Sequence, residues 1–474
     1  MLKNIFITSL IALCTLLFTG CETTQHILNQ GFSSSSGSAA QSAPVNLQGF
    51  PNGPIFWQGG TATVWNKLQH IPLTELQSAS AQATQPDING WLKLAIISKQ
   101  YSTDTSRLAS ELMAWRSANP GHPANALFPD NGTLTRLQNS GAPAHIALLL
   151  PLQGELGTSG QAVRDGFLSA YYGSPVQRQQ TVSFIDTTQN PNMSALYQKA
   201  LSEGATSVIG PLTKENVQQL LGQSRFPVPT LALNYTDIWF GSLPANFYEF
   251  GLSPLDEAKQ LAEKSWASGH KKALLIAPDD SWGQRVVKSL TANWQTLGGS
   301  VTDTFYFNSK TDLNLGIAEL LHANPNNNKR EQNIPEQQQR RQDFDIIFLL
   351  APPQTARQIV PLLKYYYAAN VPIYATSVVY SGAPSAEDSD LNGVTFADMP
   401  WTLQNANPSP IKSNAKSSRL YALGRDAYML NNQFSRLSIL PNFPIYGATG
   451  ALTLTPQQQI YRRLAWVQMH NGRP

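Results

Sequence analysis

The sequence predicts an α/β protein whose C-terminal part forms two lobes, each built on a parallel sheet, preceded by a small all-helical region. Beyond residue 142, short apolar runs of strand length alternate with amphipathic stretches, and this βαβ order is typical of parallel sheets with right-handed crossovers. Between 59 and 130, apolar residues recur at helical spacing instead. The 474 residues leave room for about three domain-sized units.

Residues 1–20 have the pattern of an export signal. A lysine near the start is followed by an apolar stretch too short to span a membrane comfortably and by small residues. The end of this stretch, Phe18-Thr19-Gly20-Cys21, resembles a bacterial lipobox, which implies that Cys21 is acylated and becomes the new N-terminus. A plain signal peptide with a chance cysteine is the alternative. Glu22 after the cysteine implies localisation on the periplasmic side of the outer membrane.

Cysteine usage supports the lipid anchor. Cys14 lies in the segment that would be removed, so Cys21 is the last cysteine of the mature chain and no intrachain disulfide can form. A free thiol would be a liability in an oxidising compartment, whereas an acylated one is not. Several acyl chains at one terminus also give stable anchoring.

Residues 21–58 are predicted to be the lipidated cysteine and a flexible tether, because Ser, Gly, Ala, Gln and Pro dominate this stretch. Residues 59–130 are predicted to form helical hairpins. The element around Trp91 and Tyr101, followed by a second helix and the stop at Asn119-Pro120, resembles a degenerate tetratricopeptide unit. A small helical domain that packs Trp and Leu for stability alone is the alternative. Residues 131–141 are predicted to be a polar link.

The first lobe begins with an apolar strand over 146–152, a glycine turn and an amphipathic helix to Tyr172. Strands over 182–186, 207–211 and 229–234 follow, with helices over 194–204 and 214–221 between them. The second lobe is predicted from strands over 273–277, 345–350 and 371–377, with helices over 254–269, 286–297 and 354–369. The lobes should meet near 234–252, and a low-complexity insert occupies 324–343.

Several function classes are disfavoured by the composition. A formal charge of +3 with 13% charged residues gives no basic field for nucleic acid. The seven histidines show no metal-ligand spacing, and no nucleophile elbow, phosphate loop or dinucleotide fingerprint is present. The chain is therefore interpreted as a non-enzyme without cofactor or metal.

A cleft at the strand ends is the candidate binding site, because ligands of open α/β sheets bind at the carboxyl ends of strands. Its predicted walls offer hydroxyl, amide and aromatic contacts suited to a polar metabolite. The alternative, slightly favoured because no Arg or Lys stands at the first turn, is that these residues merely close a lobe interface. They are Gly157, Ser159, Gly160, Asn234, Tyr235, Asp279 and Trp282.

From about His145 onwards the chain resembles the LpoA family of penicillin-binding protein activators. The most specific matching segments are 146–152 with 160–172, and 447–454 with 462–466; the segments 208–212, 229–235, 250–254 and 420–428 also match. The resemblance implies a type I periplasmic-binding-protein-like fold over 142–474, behind a tetratricopeptide-like region. It also implies an outer-membrane lipoprotein that binds and stimulates a bifunctional class A penicillin-binding protein, a peptidoglycan synthase.

Two other functions stay open at this stage. One is a lipid-anchored solute-binding protein for an amino-acid or peptide transporter, since the fold is shared. The other is a protein that only bridges membrane and peptidoglycan. The helical region of this chain is shorter than the resemblance implies, which leaves the reach from the membrane to the synthase open.

Overall fold

The computed structural model describes residues 50–174, 179–188, 192–223, 225–236, 243–323, 339–404 and 415–474. The predicted signal peptide, Cys21, most of the tether and residues 324–338 of the insert lie outside the described residues. Residues 50–58, which the sequence assigns to the tether, fold against the first helices, because Phe56 is buried there.

The helical region consists of five short helices around one apolar core. Leu68, Leu92, Leu108 and Leu112 are fully buried in it, together with Trp65 and Trp91 at its edges. The helices are α1 (Thr61–Gln69), α2 (Leu73–Gln82), α3 (Pro86–Gln100), α4 (Thr105–Ala118) and α5 (Asn131–Gln138).

The segment predicted as a polar link is in fact largely helix α5. Its start is fixed by Asp130, whose carboxylate accepts a hydrogen bond from the Thr133 amide at 2.9 Å. Leu134 and Leu137 are buried against the other helices, and these two apolar residues suffice for a helix of eight residues. The sequence pattern is mostly polar because the remaining positions face solvent.

The first lobe has a five-stranded parallel sheet in the order β2-β1-β3-β4-β5. The predicted strands and helices are confirmed, with ends within a few residues. The strands are β1 (His145–Leu150), β2 (Thr181–Asp186), β3 (Ser207–Ile209), β4 (Thr230–Ala232) and β5 (Phe247–Glu249). The helices are α6 (Gly157–Tyr172), α7 (Met193–Ser202) and α8 (Lys214–Leu221). β5 lies within the stretch predicted to join the lobes, so the crossing begins only after it.

The second lobe has a six-stranded sheet in the order β14-β10-β9-β8-β6-β7, parallel except for β14. Its strands are β6 (Lys272–Pro278), β7 (Ser300–Phe307), β8 (Ile346–Leu349), β9 (Ile373–Ala375), β10 (Thr395–Asp398) and β14 (Ala465–Gln468). Its helices are α9 (Pro254–Ala267), α10 (Ser281–Thr296), α11 (Leu313–Leu320) and α12 (Pro353–Leu363), and a π-helical turn (Lys364–Ala368) continues α12.

The chain crosses between the lobes three times. It passes from β5 to α9, returns after β10 through α13 (Pro400–Leu403) to α14 (Ala415–Asn431), and finally enters β14. Before that last crossing lie α15 (Phe434–Ile439) and a three-stranded antiparallel sheet. Its strands are β11 (Ile445–Tyr446), β12 (Ala451–Leu454) and β13 (Ile460–Arg463). Since α14 packs on α6, the C-terminal part completes the first lobe.

Among the described residues, no helix combines the length and the apolar character that crossing a membrane requires.

Candidate functional site

Three predicted cleft residues lie at the start of α6, directly after β1. A Cβ atom on Gly160 would stand 1.8 Å from the carbonyl oxygen of Pro151, so only glycine lets the helix begin this close to the strand end. Gly157 is buried at the first position of α6, and Ser159 is half-buried. Close packing of the backbone therefore determines the shape of this turn. Ser159 contributes a half-buried hydroxyl group to it.

The second lobe repeats this arrangement at the end of β6. A Cβ on Gly283 would lie 2.1 Å from the carbonyl oxygen of Pro278. Asp280 caps α10 by accepting a hydrogen bond from the Gly283 amide at 2.7 Å. Of the two predicted residues here, Asp279 is exposed, and Trp282 is half-buried against the core beneath α10.

Asn234 and Tyr235 follow β4, and their side chains are engaged within the protein. The Asn234 amide donates to the carbonyl oxygen of Leu212 at 3.0 Å, and its side-chain oxygen accepts from the Tyr235 amide at 3.0 Å. The Tyr235 hydroxyl donates to the carbonyl oxygen of Ile460 at 2.7 Å, and burial raises the pKa of this phenol. Asn234 thus ties the end of β4 to the segment after β3, and Tyr235 ties it to β13.

The predicted residues thus fall into two groups. Gly157, Ser159 and Gly160 share one edge of the first sheet with Asn234 and Tyr235, with β3 between them. Asp279 and Trp282 lie at the corresponding edge of the other sheet. In the described part of the chain, no hydrogen bond joins the two groups.

The structure adds an ionic cluster between the lobes that the sequence did not indicate. Arg419, near the start of α14, forms an ion pair with Asp398 at the end of β10, with 2.5 Å between Nη2 and Oδ2. The same nitrogen donates to the carbonyl oxygen of Ser377 at 3.2 Å. The Asp398 side chain is 1% exposed and that of Arg419 is 16% exposed. A helix packed on the first lobe is thereby bound to the strand ends of the second.

A second carboxylate, Glu257 in the first turn of α9, completes this cluster. It accepts hydrogen bonds from the Ser377 amide at 3.1 Å and the Ser377 hydroxyl at 2.8 Å. Burial raises the pKa of Glu257, partly offset by the charges of Arg462 and Arg419. The carboxylates of Asp398 and Glu257 therefore both have hydrogen-bond partners within the protein. Arg419 directly precedes the 420–428 segment, but neither of its partners is near it in sequence.

A known protein family matches most of the chain in sequence. The family model described as "LppC putative lipoprotein" matches residues 57–472. A curated relative from Photobacterium profundum, named penicillin-binding protein activator LpoA, is 30% identical over 433 residues, which cover 86% of this chain and 69% of the relative. The chain belongs to the LpoA family.

Solved structures of the LpoA family show the same fold. Full-length LpoA from Haemophilus influenzae is 27% identical with a TM-score of 0.57, and the match covers 87% of this chain and 73% of that one. The C-domain of the same LpoA, described as a regulator of PBP1A, matches with 27% identity and a TM-score of 0.57 over 70% of this chain and 98% of that one. The unmatched part of the full-length protein therefore lies outside its C-domain.

The two-lobed part of this LpoA-family chain is also similar to a transport protein. A Chromobacterium violaceum protein described as a "putative branched-chain amino acid ABC transporter" is 27% identical with a TM-score of 0.55, over 69% of this chain and its whole length. The type I periplasmic-binding-protein-like fold expected from the sequence is confirmed, with a helical region before it.

Proposed function

We propose that this chain is an outer-membrane lipoprotein that binds a bifunctional class A penicillin-binding protein and stimulates its transpeptidase reaction. The observation that carries the proposal is family membership over residues 57–472. Its relatives bear the name penicillin-binding protein activator, and the C-domain described as a regulator of PBP1A is matched over 98% of its length. In this role the protein regulates peptidoglycan synthesis and catalyses no step itself.

The anchoring part of the proposal rests on the sequence. Residues 1–20 would be removed, Cys21 would carry the lipid, and the stretch before residue 50 would join the anchor to the helical region. The two-lobed head at 142–474 would then face the periplasm and the peptidoglycan. The Ser-, Gly- and Ala-rich composition of the stretch before residue 50 is typical of linkers that let a folded part stand away from its anchor.

The ionic cluster between the lobes favours a regulatory role of the head over a role in solute binding. Solute-binding proteins recognise charged ligands with free polar groups in the cleft. Here Asp398 is paired with Arg419, and Glu257 accepts two hydrogen bonds from Ser377. A ligand ammonium group would have to displace Arg419, which is held on a helix packed against α6.

Reconstitution tests the proposed function. The soluble chain beginning after Cys21 is added to the class A penicillin-binding protein of the same organism with lipid-linked substrate, and cross-link formation is followed. We expect a several-fold rise. A transporter solute-binding protein of the same fold, added at equal concentration, is the control and should give no rise. An active synthase that ignores the chain would refute the proposal.

Solute binding is the second candidate, favoured by the similarity to the Chromobacterium protein. Under this alternative, Ser159, Tyr235, Asp279 and Trp282 contact a small polar ligand. Calorimetric titration with amino acids and short peptides would then give micromolar dissociation constants that weaken in a Trp282→Ala variant. Absence of heat across the series would eliminate this candidate.

A further inference from the structure

Between the helical region and the head, one face of the small antiparallel sheet carries charged and aromatic side chains. Ala451 of β12 is paired with Tyr446 of β11 on one side and with Arg463 of β13 on the other. Paired residues share a sheet face, and so do residues two apart along a strand, so Tyr461 lies on this face as well. Only the methyl group of Ala451 stands between Tyr446 and Arg463. The opposite face, with Leu452, packs into the first lobe.

Lys99 of α3 reaches this face from the helical region. Its Nζ lies 4.3 Å from the centroid of the Tyr446 ring and 3.1 Å from the Tyr446 hydroxyl oxygen, and it donates to the carbonyl oxygen of Gln69 at 2.9 Å. The ammonium group is thus positioned by a ring, a hydroxyl and a carbonyl. All three of these partners are neutral.

Further basic residues surround the same place. The pKa of His70 is lowered to about 4, mainly by burial. The positive charges of Arg463, Lys99 and Lys264 lower it further. Burial and the charge of Arg463 also lower the pKa of Lys99 to about 7. His70 is nevertheless exposed. Solvent therefore reaches this side of the junction.

Within the described residues, neither Lys99 nor Arg463 has a carboxylate partner within ion-pair distance. The carboxylates of Glu263 and Asp256, both in α9, act on Tyr461, which lies on the same sheet face as Arg463. Glu263 is 3.9 Å from Lys259, which itself lies 5.7 Å from the Tyr461 ring centroid. Cations gathered in a partly dehydrated place repel one another and oppose folding unless an anion lies among them.

We propose that this junction is an oxyanion-binding site, in which Arg463 and Lys99 hold the carboxylate or phosphate group of a small ligand. The Tyr446 hydroxyl, which donates a hydrogen bond to the side-chain oxygen of Gln69, accepts one from Lys99 and positions it. A guanidinium fork matches either group with two parallel hydrogen bonds, and the ammonium supplies a second charge. The site joins the helical region to the head, so its occupant bridges the two. The inference does not depend on activation of a synthase.

Calorimetric titration of the soluble chain with glutarate and, separately, with inorganic phosphate tests this site. We expect saturable binding, and the tighter of the two ligands identifies the source of the oxyanion. Because the anion raises the pKa of Lys99 from about 7, binding at about pH 8 should take up close to one proton, and binding at about pH 6 almost none. Titrations in two buffers of different ionisation enthalpy measure this uptake.

Three variants separate binding from folding. Arg463→Gln should weaken binding by about tenfold or more, while its melting temperature stays at or above that of the wild type, because a repelling charge is removed. Lys99→Met should lose the proton uptake, and Lys99→Arg should keep binding without uptake, since arginine stays charged. Lys288→Gln, on the exposed face of α10, is the control and should bind as the wild type does.

The proposal is overturned if neither anion binds to the wild type, or if Arg463→Gln binds as tightly as the wild type. It is also overturned if binding near pH 8 takes up no proton. Lys99→Arg keeps the test decisive should Arg463→Gln fail to fold.

Discussion

Arg436 is a fully buried arginine whose hydrogen-bond partners are neutral oxygens. Its guanidinium donates to the carbonyl oxygens of Ser102, Phe443 and Pro444, and to the side-chain oxygen of Gln433 at 2.7 Å. Burial lowers its pKa to about 9, so it remains charged at neutral pH. This one side chain satisfies backbone groups of the helical region and of the segment leading to β11.

We expect Arg436→Met to lower the free energy of unfolding by about 3 kcal/mol, because several buried carbonyl groups lose their donors at once. Chemical denaturation of both proteins measures the difference. Arg285→Met, at an exposed position of α10, is the matched control and should change stability by less than about 0.5 kcal/mol. Equal stability of the Arg436 and Arg285 variants would contradict this role.

Glu257 gives a pH-dependent prediction. Burial raises its folded-state pKa, so between its unfolded and folded pKa values the folded state binds more protons, and this group's contribution to stability falls as pH rises. Glu257→Gln removes that contribution. The melting temperature of the variant minus that of the wild type should therefore increase from about pH 4 to about pH 7. A difference that is flat or decreases over this range would rule out the assignment.

At the scale of elements, two glycines set the distance between α6 and α14. A Cβ on Gly166 would lie 1.9 Å from the carbonyl oxygen of Tyr421, and a Cβ on Gly424 would lie 1.9 Å from that of Val163. The helix backbones therefore touch at both points, which no larger residue permits. The same contact carries Arg419 on α14 towards Asp398, so helix packing in the first lobe positions the interlobe ion pair.

Gly166→Ala should force these helices apart and destabilise the protein by about 1 to 3 kcal/mol. Amide hydrogen exchange should rise in α14 and at the end of β10, because Arg419 moves away from Asp398. Gly141→Ala is the control, since a Cβ there meets nothing within 4 Å. Faster exchange confined to α6 would show that the ion pair does not depend on the helix contact.

The helices and strands predicted from sequence are those whose burial leaves a visible pattern of apolar residues in one continuous stretch. β1 is a continuous apolar run because both faces of its strand are buried, and α6 shows a clear apolar stripe. β7 was not predicted, since this edge strand buries only Phe307 of its eight residues and its apolar residues do not form a run of strand length. β10 and the two- to four-residue strands after α15 are too short to show a period.

The candidate site was predicted only in part for a similar reason. The turns at Gly160 and Asp279 follow recognisable strands, and strand ends mark clefts. Arg419, Asp398 and Glu257 come from helix α14, the short strand β10 and the first turn of helix α9, which are separate in sequence. Lys99 and Arg463 are 364 positions apart by their residue numbers. Ordinary charged residues carry no local pattern that tells which distant partner they meet.

At the scale of the whole molecule, the helical region and the head share a core. Leu440 and Phe443 of the head are buried among the helices, and the Phe443 ring centroid lies 5.0 Å from that of Trp65 and 5.8 Å from that of Phe128. Asn442 accepts a hydrogen bond from the Trp65 indole at 2.7 Å through its carbonyl and donates to the Leu127 carbonyl at 2.9 Å. The helices are therefore fixed to the head.

This shared core predicts that the helical region and the first lobe unfold together. Phe443→Ala should lower the free energy of unfolding by about 3 to 5 kcal/mol, because it opens a cavity between them. In scanning calorimetry the transition that contains both parts should move to lower temperature as one peak. A separate early peak for the helices would contradict the shared core. If the parts unfold together, the helical region and the first lobe behave as one structural unit.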